Sequence, residues 1–210
     1  DVEACLRFGL LAQRGSLTLN HCDILNGTWA TCLSGSKLWF VYQGNWDSDI
    51  QKRFAREGTG WMPHAAMKMI FLEPGDTLIM CPGRAIIHSV ATLDHCIMAG
   101  GMIWSEHDMC ALMDNICWIM TSENGTNEQI PRQFPELLDT LMEMANDDDL
   151  WGDGRESFTI QDKSSIQRLI DTLRPILSCE QQCRGSCKRG CPCATATPIR
   201  HAGCTTWCHS

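Results

Sequence analysis

The chain has 210 residues, 44% of them hydrophobic and 20% charged, which suits one folded domain with a small appendage and excludes wholesale disorder. Seventeen Lys and Arg against twenty-five Asp and Glu leave a net charge of -8, which excludes a surface coated in basic residues for nonspecific nucleic-acid binding. No run approaches the roughly 18 apolar residues of a spanning helix, so no membrane partner is expected.

Residues 1–20 lack a long apolar leader, so an intracellular setting is expected. A chain that opens on Asp1 rather than Met reads as part of a longer one, with upstream elements of the fold expected before it. Ser16–Cys22 then alternates like a strand, Asn26-Gly27-Thr28 is a turn signal, and Trp29–Tyr42 is β-rich except at Ser34-Gly35-Ser36. Ser48–Glu57 reads as a short helix, capped by Asp47 or Ser48 and ended by Gly58. Strands are expected at Ala66–Leu72, Thr77–Cys81, Ala85–Thr92 and Cys96–Trp104, separated by turns at Pro74-Gly75 and Pro82-Gly83. Short strands at this spacing predict an antiparallel sandwich or barrel.

Past about residue 105 the character changes. Phe134–Ala145 has helical spacing, residues 146–155 form an acidic Gly-containing linker, and Ser164–Leu177 carries an apolar stripe through Ile166, Leu169, Ile170, Leu173, Ile176 and Leu177. Pro175 is expected to disturb the last turn of that helix.

Of fourteen Cys, seven are scattered through apolar stretches, as buried free thiols would be: Cys5, Cys22, Cys32, Cys81, Cys96, Cys110 and Cys117. The other seven crowd into the last 32 residues with ligand-like spacing. With no secretory signal, reduced thiols and metal are favoured over disulfides. Asn26-Gly27-Thr28 and Asn124-Gly125-Thr126 fit the glycosylation pattern, which an intracellular setting makes irrelevant.

The segment Thr18-Leu19-Asn20-His21-Cys22-Asp23 carries the chemistry. Residues i and i+2 of a strand face one side, so His21 and Asp23 can point into one cavity as two legs of a 2-His-1-carboxylate iron site. His88, 67 residues on and within an expected strand, is the preferred third ligand over His64 on a loop and His95 in a connection. Lys37 lies among apolar neighbours, so it is expected to point inward, where an ammonium can hold a dicarboxylate cosubstrate; the alternative is an exposed sheet edge. Thr18 can add a hydroxyl. Thr18 and His21 differ by three, so a bulge must lie between them if both face inward.

Thr18, His21-x-Asp23, Gly35-x-Lys37-x-Trp39, Pro74-Gly75-Asp76, Pro82-Gly83 and His88, in that order and spacing, resemble the Jumonji C (JmjC) family over about residues 5–105. The resemblance implies a double-stranded β-helix barrel that uses Fe(II), 2-oxoglutarate and O2. It implies that His21, Asp23 and His88 bind iron and that Thr18 and Lys37 bind 2-oxoglutarate. In that family a C–H bond is hydroxylated while the cosubstrate becomes succinate; on an N-methyl group the product loses formaldehyde. Many members carry Asn where Ala30 stands here.

In the tail, Cys179, Cys183, Cys187, Cys191, Cys193, Cys204 and Cys208, with His201 or His209, supply eight ligands, enough for two zinc ions. The spacing weakly resembles the CXC-type zinc clusters of chromatin proteins. Arg184, Lys188, Arg189 and Arg200 against Glu180 give that tail a local positive excess that would allow contact with nucleic acid or an acidic partner.

The expected architecture is therefore mainly β. A double-stranded β-helix (jelly-roll, cupin-like) barrel occupies 1–120, a helical extension with an acidic linker 121–178, and a cysteine-rich zinc-binding segment 179–210. The expected function is an intracellular, nuclear dioxygenase that hydroxylates or demethylates a protein side chain, a histone among the candidates. The competing readings are a catalytically silent JmjC-like interaction module beside a zinc cluster, and a metal-binding cupin of other chemistry with no use for Lys37.

Overall fold

The computed structural model describes residues 5–122, 124–128, 130–131, 133–147 and 158–182, without the side chains of His64 and residues 175–182. Eight strands form the centre: β1 Phe8–Ala12, β2 Leu17–His21, β3 Thr28–Ser34, β4 Lys37–Tyr42, β5 Met67–Leu72, β6 Thr77–Met80, β7 His88–Thr92 and β8 Cys96–Met102. They make two four-stranded antiparallel sheets, ordered β1-β8-β3-β6 and β2-β7-β4-β5. This is the jelly-roll-like barrel expected of the sequence.

Alternation along the strands decides what the barrel encloses. In β4, Lys37, Trp39 and Val41 are buried and their neighbours half-buried. In β7 the buried set is His88, Val90 and Thr92. Between the sheets these meet Ala30, Cys32, Leu72, Met80, Cys96 and Met98. The β3–β4 turn depends on Gly35, whose φ of 75° is left-handed and where a Cβ would strike the His95 carbonyl.

Helix α1, Ser48–Glu57, begins where the Asp47 carboxylate accepts from the N–H groups of Asp49 (3.1 Å) and Ile50 (3.0 Å), and it ends at Gly58. Three further helices follow the barrel: α2 Met109–Thr121, α3 Phe134–Asn146 and α4 Ile160–Gln182. The sequence reading overlooked α2, although Met109, Leu112, Met113, Ile116 and Met120 form a helical stripe. Ile166, Leu169, Ile170 and Leu173 of α4 are buried as expected. They join a second core with Phe54, Trp61, Leu112, Phe134 and Leu138, and with Cys22, Ile24 and Leu25 from the turn after β2. The helical layer thus grips the barrel at the segment that carries His21 and Asp23.

Three expectations are corrected. Residues 85–87 lie outside the strand, which starts at His88, because Pro82-Gly83 delivers an irregular segment first. The α4 backbone runs helically past Pro175 to Gln182. Of the scattered thiols only Cys22, Cys32 and Cys96 are buried; Cys5, Cys110 and Cys117 are half-buried and Cys81 is exposed beyond the end of β6. Among the described residues no helix is long and apolar enough to cross a membrane.

Candidate metal centre

The bulge demanded by Thr18 and His21 is present: the β2–β7 register shifts between them, so that His21 lies opposite His88. Their rings are 4.3 Å apart between centroids. Just past the end of β2, the turn at Asp23 brings its carboxylate to the same point, with Asp23 Oδ1 3.7 Å from His21 Nε2 and 3.5 Å from His88 Nε2. One ligand atom from each of the three lies within 4.8 Å of the others, and this is the group of metal-ligating side chains found among the described residues.

The hydrogen bonds behind the rings define their chemistry. His21 Nδ1 lies 2.7 Å from the Leu19 carbonyl and His88 Nδ1 lies 3.0 Å from the Ile86 carbonyl. A carbonyl only accepts, so each Nδ1 carries the proton and each Nε2 presents a lone pair toward Asp23. Asp23 Oδ2 accepts from the Thr28 hydroxyl, which leaves Oδ1 facing the two imidazoles. With both imidazoles neutral, three acceptor atoms converge there without a donor among them. A proton is a poor occupant of that gap: burial, then the neighbouring His88, pushes the pKa of His21 down to about 4. Two neutral imidazoles and a carboxylate suit a divalent cation such as Fe(II).

Lys37 lies inside the barrel, 6% exposed, and burial lowers the pKa of its ammonium. It is opposite Thr92, whose hydroxyl accepts from Ser16 Oγ at 3.0 Å, and no described carboxylate makes an ion pair with it. Beside it, Cys32 and Cys96 place their sulfurs 3.9 Å apart, and burial raises the Cys32 thiol to about 11.

The interior face of this sheet is thus a set of cross-strand rows: Lys37 with Thr92, then Trp39, Val90 and Thr18, then Val41, His88 and His21. Lys37 and His88 are offset by four positions, about 13 Å along the strands. Trp39 fills the middle row, stacks on His88 at 5.3 Å, and leaves its indole N–H buried without a partner. Thr18 faces the interior side by register but is exposed, so it stands at the mouth rather than in the buried interior. His95 is exposed on its connection, away from this set, and Ala30 is buried in the core. Cys183, Cys187, Cys191, Cys193, Cys204 and Cys208 lie outside the described residues, and of Cys179 only the helical backbone is described.

Two contributors were not foreseen. Thr28 belongs to a triplet read only as a turn and a glycosylation pattern, yet its hydroxyl orients Asp23. Glu128, far along the chain, accepts from the Ile24 N–H through Oε2 at 2.7 Å. Burial, then the charge of Asp23, raises its pKa to about 7. No pattern in the sequence announces that contact.

The fold and centre define a jelly-roll-like barrel with a His-Asp-His group able to bind a metal. No protein-family profile matches the chain. KK-1 biosynthesis cluster protein D of Curvularia clavata is 30% identical over 179 residues, 85% of this chain; the chain spans 18% of that relative's length. Solved structures with some likeness include the Drosophila melanogaster CENP-C cupin domain (TM-score 0.33, 8% identity, 47% of this chain and 60% of that one). Another is a double mutant of ChmJ, a 3'-monoepimerase from Streptomyces bikiniensis (TM-score 0.32, 12% identity, 51% of each chain). At these scores the fold assignment rests on the sheets of the chain itself.

Proposed function

We propose that the chain is the catalytic part of an Fe(II)- and 2-oxoglutarate-dependent dioxygenase of JmjC type. The observation that supports it most is a buried cation, Lys37, on the same interior sheet face as the His21-Asp23-His88 group. A metal-binding cupin of other chemistry has no need to bury an ammonium there.

His21, Asp23 and His88 would hold iron through two Nε2 atoms and Oδ1. With O2 and 2-oxoglutarate, iron supplies hydroxylation of a C–H bond, with succinate and carbon dioxide as co-products. Lys37 would hold the far carboxylate of the cosubstrate as a point charge, made stronger by burial. Thr18 would add a hydroxyl at the mouth, and Trp39 would keep water from the middle row. The substrate is a side chain or N-methyl group of a protein, a histone among them, or a product of the kind of biosynthesis cluster for which the Curvularia relative is named. The domain division at residues 120 and 178, the nuclear setting and zinc at Cys179–Cys208 belong to the same proposal.

The test is anaerobic titration of the full chain with Fe(II) and 2-oxoglutarate, followed by succinate release in air. The expected result is a weak visible charge-transfer band and slow succinate formation, with Lys37→Ala weakening 2-oxoglutarate binding by about 10-fold or more, as loss of a charge-assisted contact would. Metal uptake without any band points instead to the silent interaction module. An unchanged response in Lys37→Ala points to the cupin of other chemistry.

A further inference from the structure

The two imidazoles of the centre sit on strands, with their rings set by backbone carbonyls two residues upstream. Asp23 lies instead on the turn past the end of β2: the Thr28 hydroxyl holds its Oδ2, but no strand fixes its backbone. The peptide groups on either side of it are held from outside the barrel. The Cys22 N–H donates to the Gly125 carbonyl at 3.1 Å, and the Ile24 N–H donates to Glu128 Oε2 at 2.7 Å.

The loop that supplies both acceptors is itself anchored. Asn124 Nδ2 donates to the Ala55 carbonyl of α1 at 3.0 Å, and the Glu128 N–H donates to Thr126 Oγ1 at 3.1 Å. Gly125 lies against the last turn of α2, where a Cβ would sit 2.9 Å from the Ile119 carbonyl. The second glycosylation-like triplet is therefore part of a strap that ties the helical layer to the carboxylate-bearing turn.

We infer that Glu128 is a positioning residue for Asp23, holding the turn through the Ile24 N–H so that Oδ1 stays aimed at the two imidazoles. The inference rests on the metal-centre reading above. Glu128 contacts neither imidazole, and its carboxylate oxygen acts as a hydrogen-bond acceptor behind the ligand. Outer partners of this kind typically change metal affinity by about 10–100-fold when removed.

The test uses the full chain and Mn(II), a hard ion that the cysteine-rich tail binds poorly, followed by electron paramagnetic resonance of free and bound metal. Glu128→Ala removes the acceptor, Glu128→Asp withdraws it by one methylene, and Glu128→Gln keeps an oxygen in place. The expected result is Mn(II) binding weakened about 10–100-fold in the first two, with an altered bound spectrum, and recovery to within about threefold in Glu128→Gln. If Glu128→Ala does not fold, Glu128→Asp against Glu128→Gln decides. Wild-type affinity and spectrum in folded Glu128→Asp overturn the inference, as does a loss in Glu128→Gln equal to that in Glu128→Asp. Wild-type chain that binds no Mn(II), like a His21→Ala control, overturns the metal centre and the inference with it. That outcome differs from metal bound equally by wild type and all Glu128 variants.

Discussion

The two cores of this molecule bury very different things. Around the helices, Phe54, Leu112, Ile116, Phe134, Leu138, Ile166 and Leu169 pack carbon against carbon. Inside the barrel, the sheet β2-β7-β4-β5 buries His21, Lys37, His88 and Thr92 beside Trp39 and Val90. The first arrangement contributes stability. The second forgoes some of it, since buried polar atoms facing one another without donors cost free energy. The contrast teaches where to look for chemistry: the core that buries imidazoles and an ammonium is the one arranged for a ligand.

The contrast breaks most sharply at Asp23. Asn at this position can keep an oxygen for the Thr28 hydroxyl and turn an N–H toward the imidazole lone pairs. Asp23→Asn is therefore expected to abolish Mn(II) binding, a loss of more than about 100-fold, while the metal-free protein melts no lower than wild type. Metal titration and thermal melts in the presence of chelator check both halves. A destabilised metal-free variant would mean that the acceptors are not in conflict.

In the other core the signs reverse. Leu169→Ala opens a cavity at a fully buried site and is expected to cost about 2–5 kcal/mol in urea unfolding. Mn(II) affinity of the folded fraction should stay as in wild type. A shift in affinity comparable to that of Asp23→Asn would join the two cores into one.

A pH experiment sharpens the comparison further. Between about pH 4 and 6.5 the unfolded chain carries a proton on His21 that the folded metal-free chain does not, so this group makes stability rise with pH. Between about pH 4.5 and 7 the folded chain carries a proton on Glu128 that the unfolded chain does not, so this group makes stability fall as pH rises. The two slopes oppose each other. Glu128→Gln removes the second and exposes the first, so the metal-free variant should gain up to about 3 kcal/mol relative to its own value at pH 4 as pH rises to 6.5. Urea unfolding at several pH values reads this, and a profile parallel to wild type would contradict it.

The smallest effect is expected on the surface. The Arg174–Asp139 pair between α4 and α3 is close at 2.8 Å, but its side chains are 65% and 54% exposed. Arg174→Ala should change stability by no more than about 1 kcal/mol, less at high salt, with no change in Mn(II) binding.

Much of this was legible in the sequence because the signals were local. The apolar neighbours of Lys37 pointed it inward, the three-residue interval between Thr18 and His21 required a bulge, and Asp47 with Gly58 bounded α1. The third ligand, His88, was reachable because a β-strand in a barrel restricts where a partner can come from. What stayed hidden was contact without periodicity. Glu128 meets the Asp23 turn through one backbone N–H, and α2 is so apolar that its stripe hardly stood out from its flanks. The start of β7 was misplaced because residues 85–87 are as apolar as a strand while following an irregular path.

Both Asn-Gly-Thr triplets are occupied by the architecture. The Asn26 amide is buried, donating to the Arg84 carbonyl at 3.0 Å and accepting from the Gly83 N–H at 2.9 Å, while the Asn124 amide is bound to α1. A sugar attached to either nitrogen during synthesis would take the place of those bonds. Passage through an oligosaccharide-transferring compartment would therefore damage the barrel next to its polar interior, and recombinant production is better served by a cytosolic host.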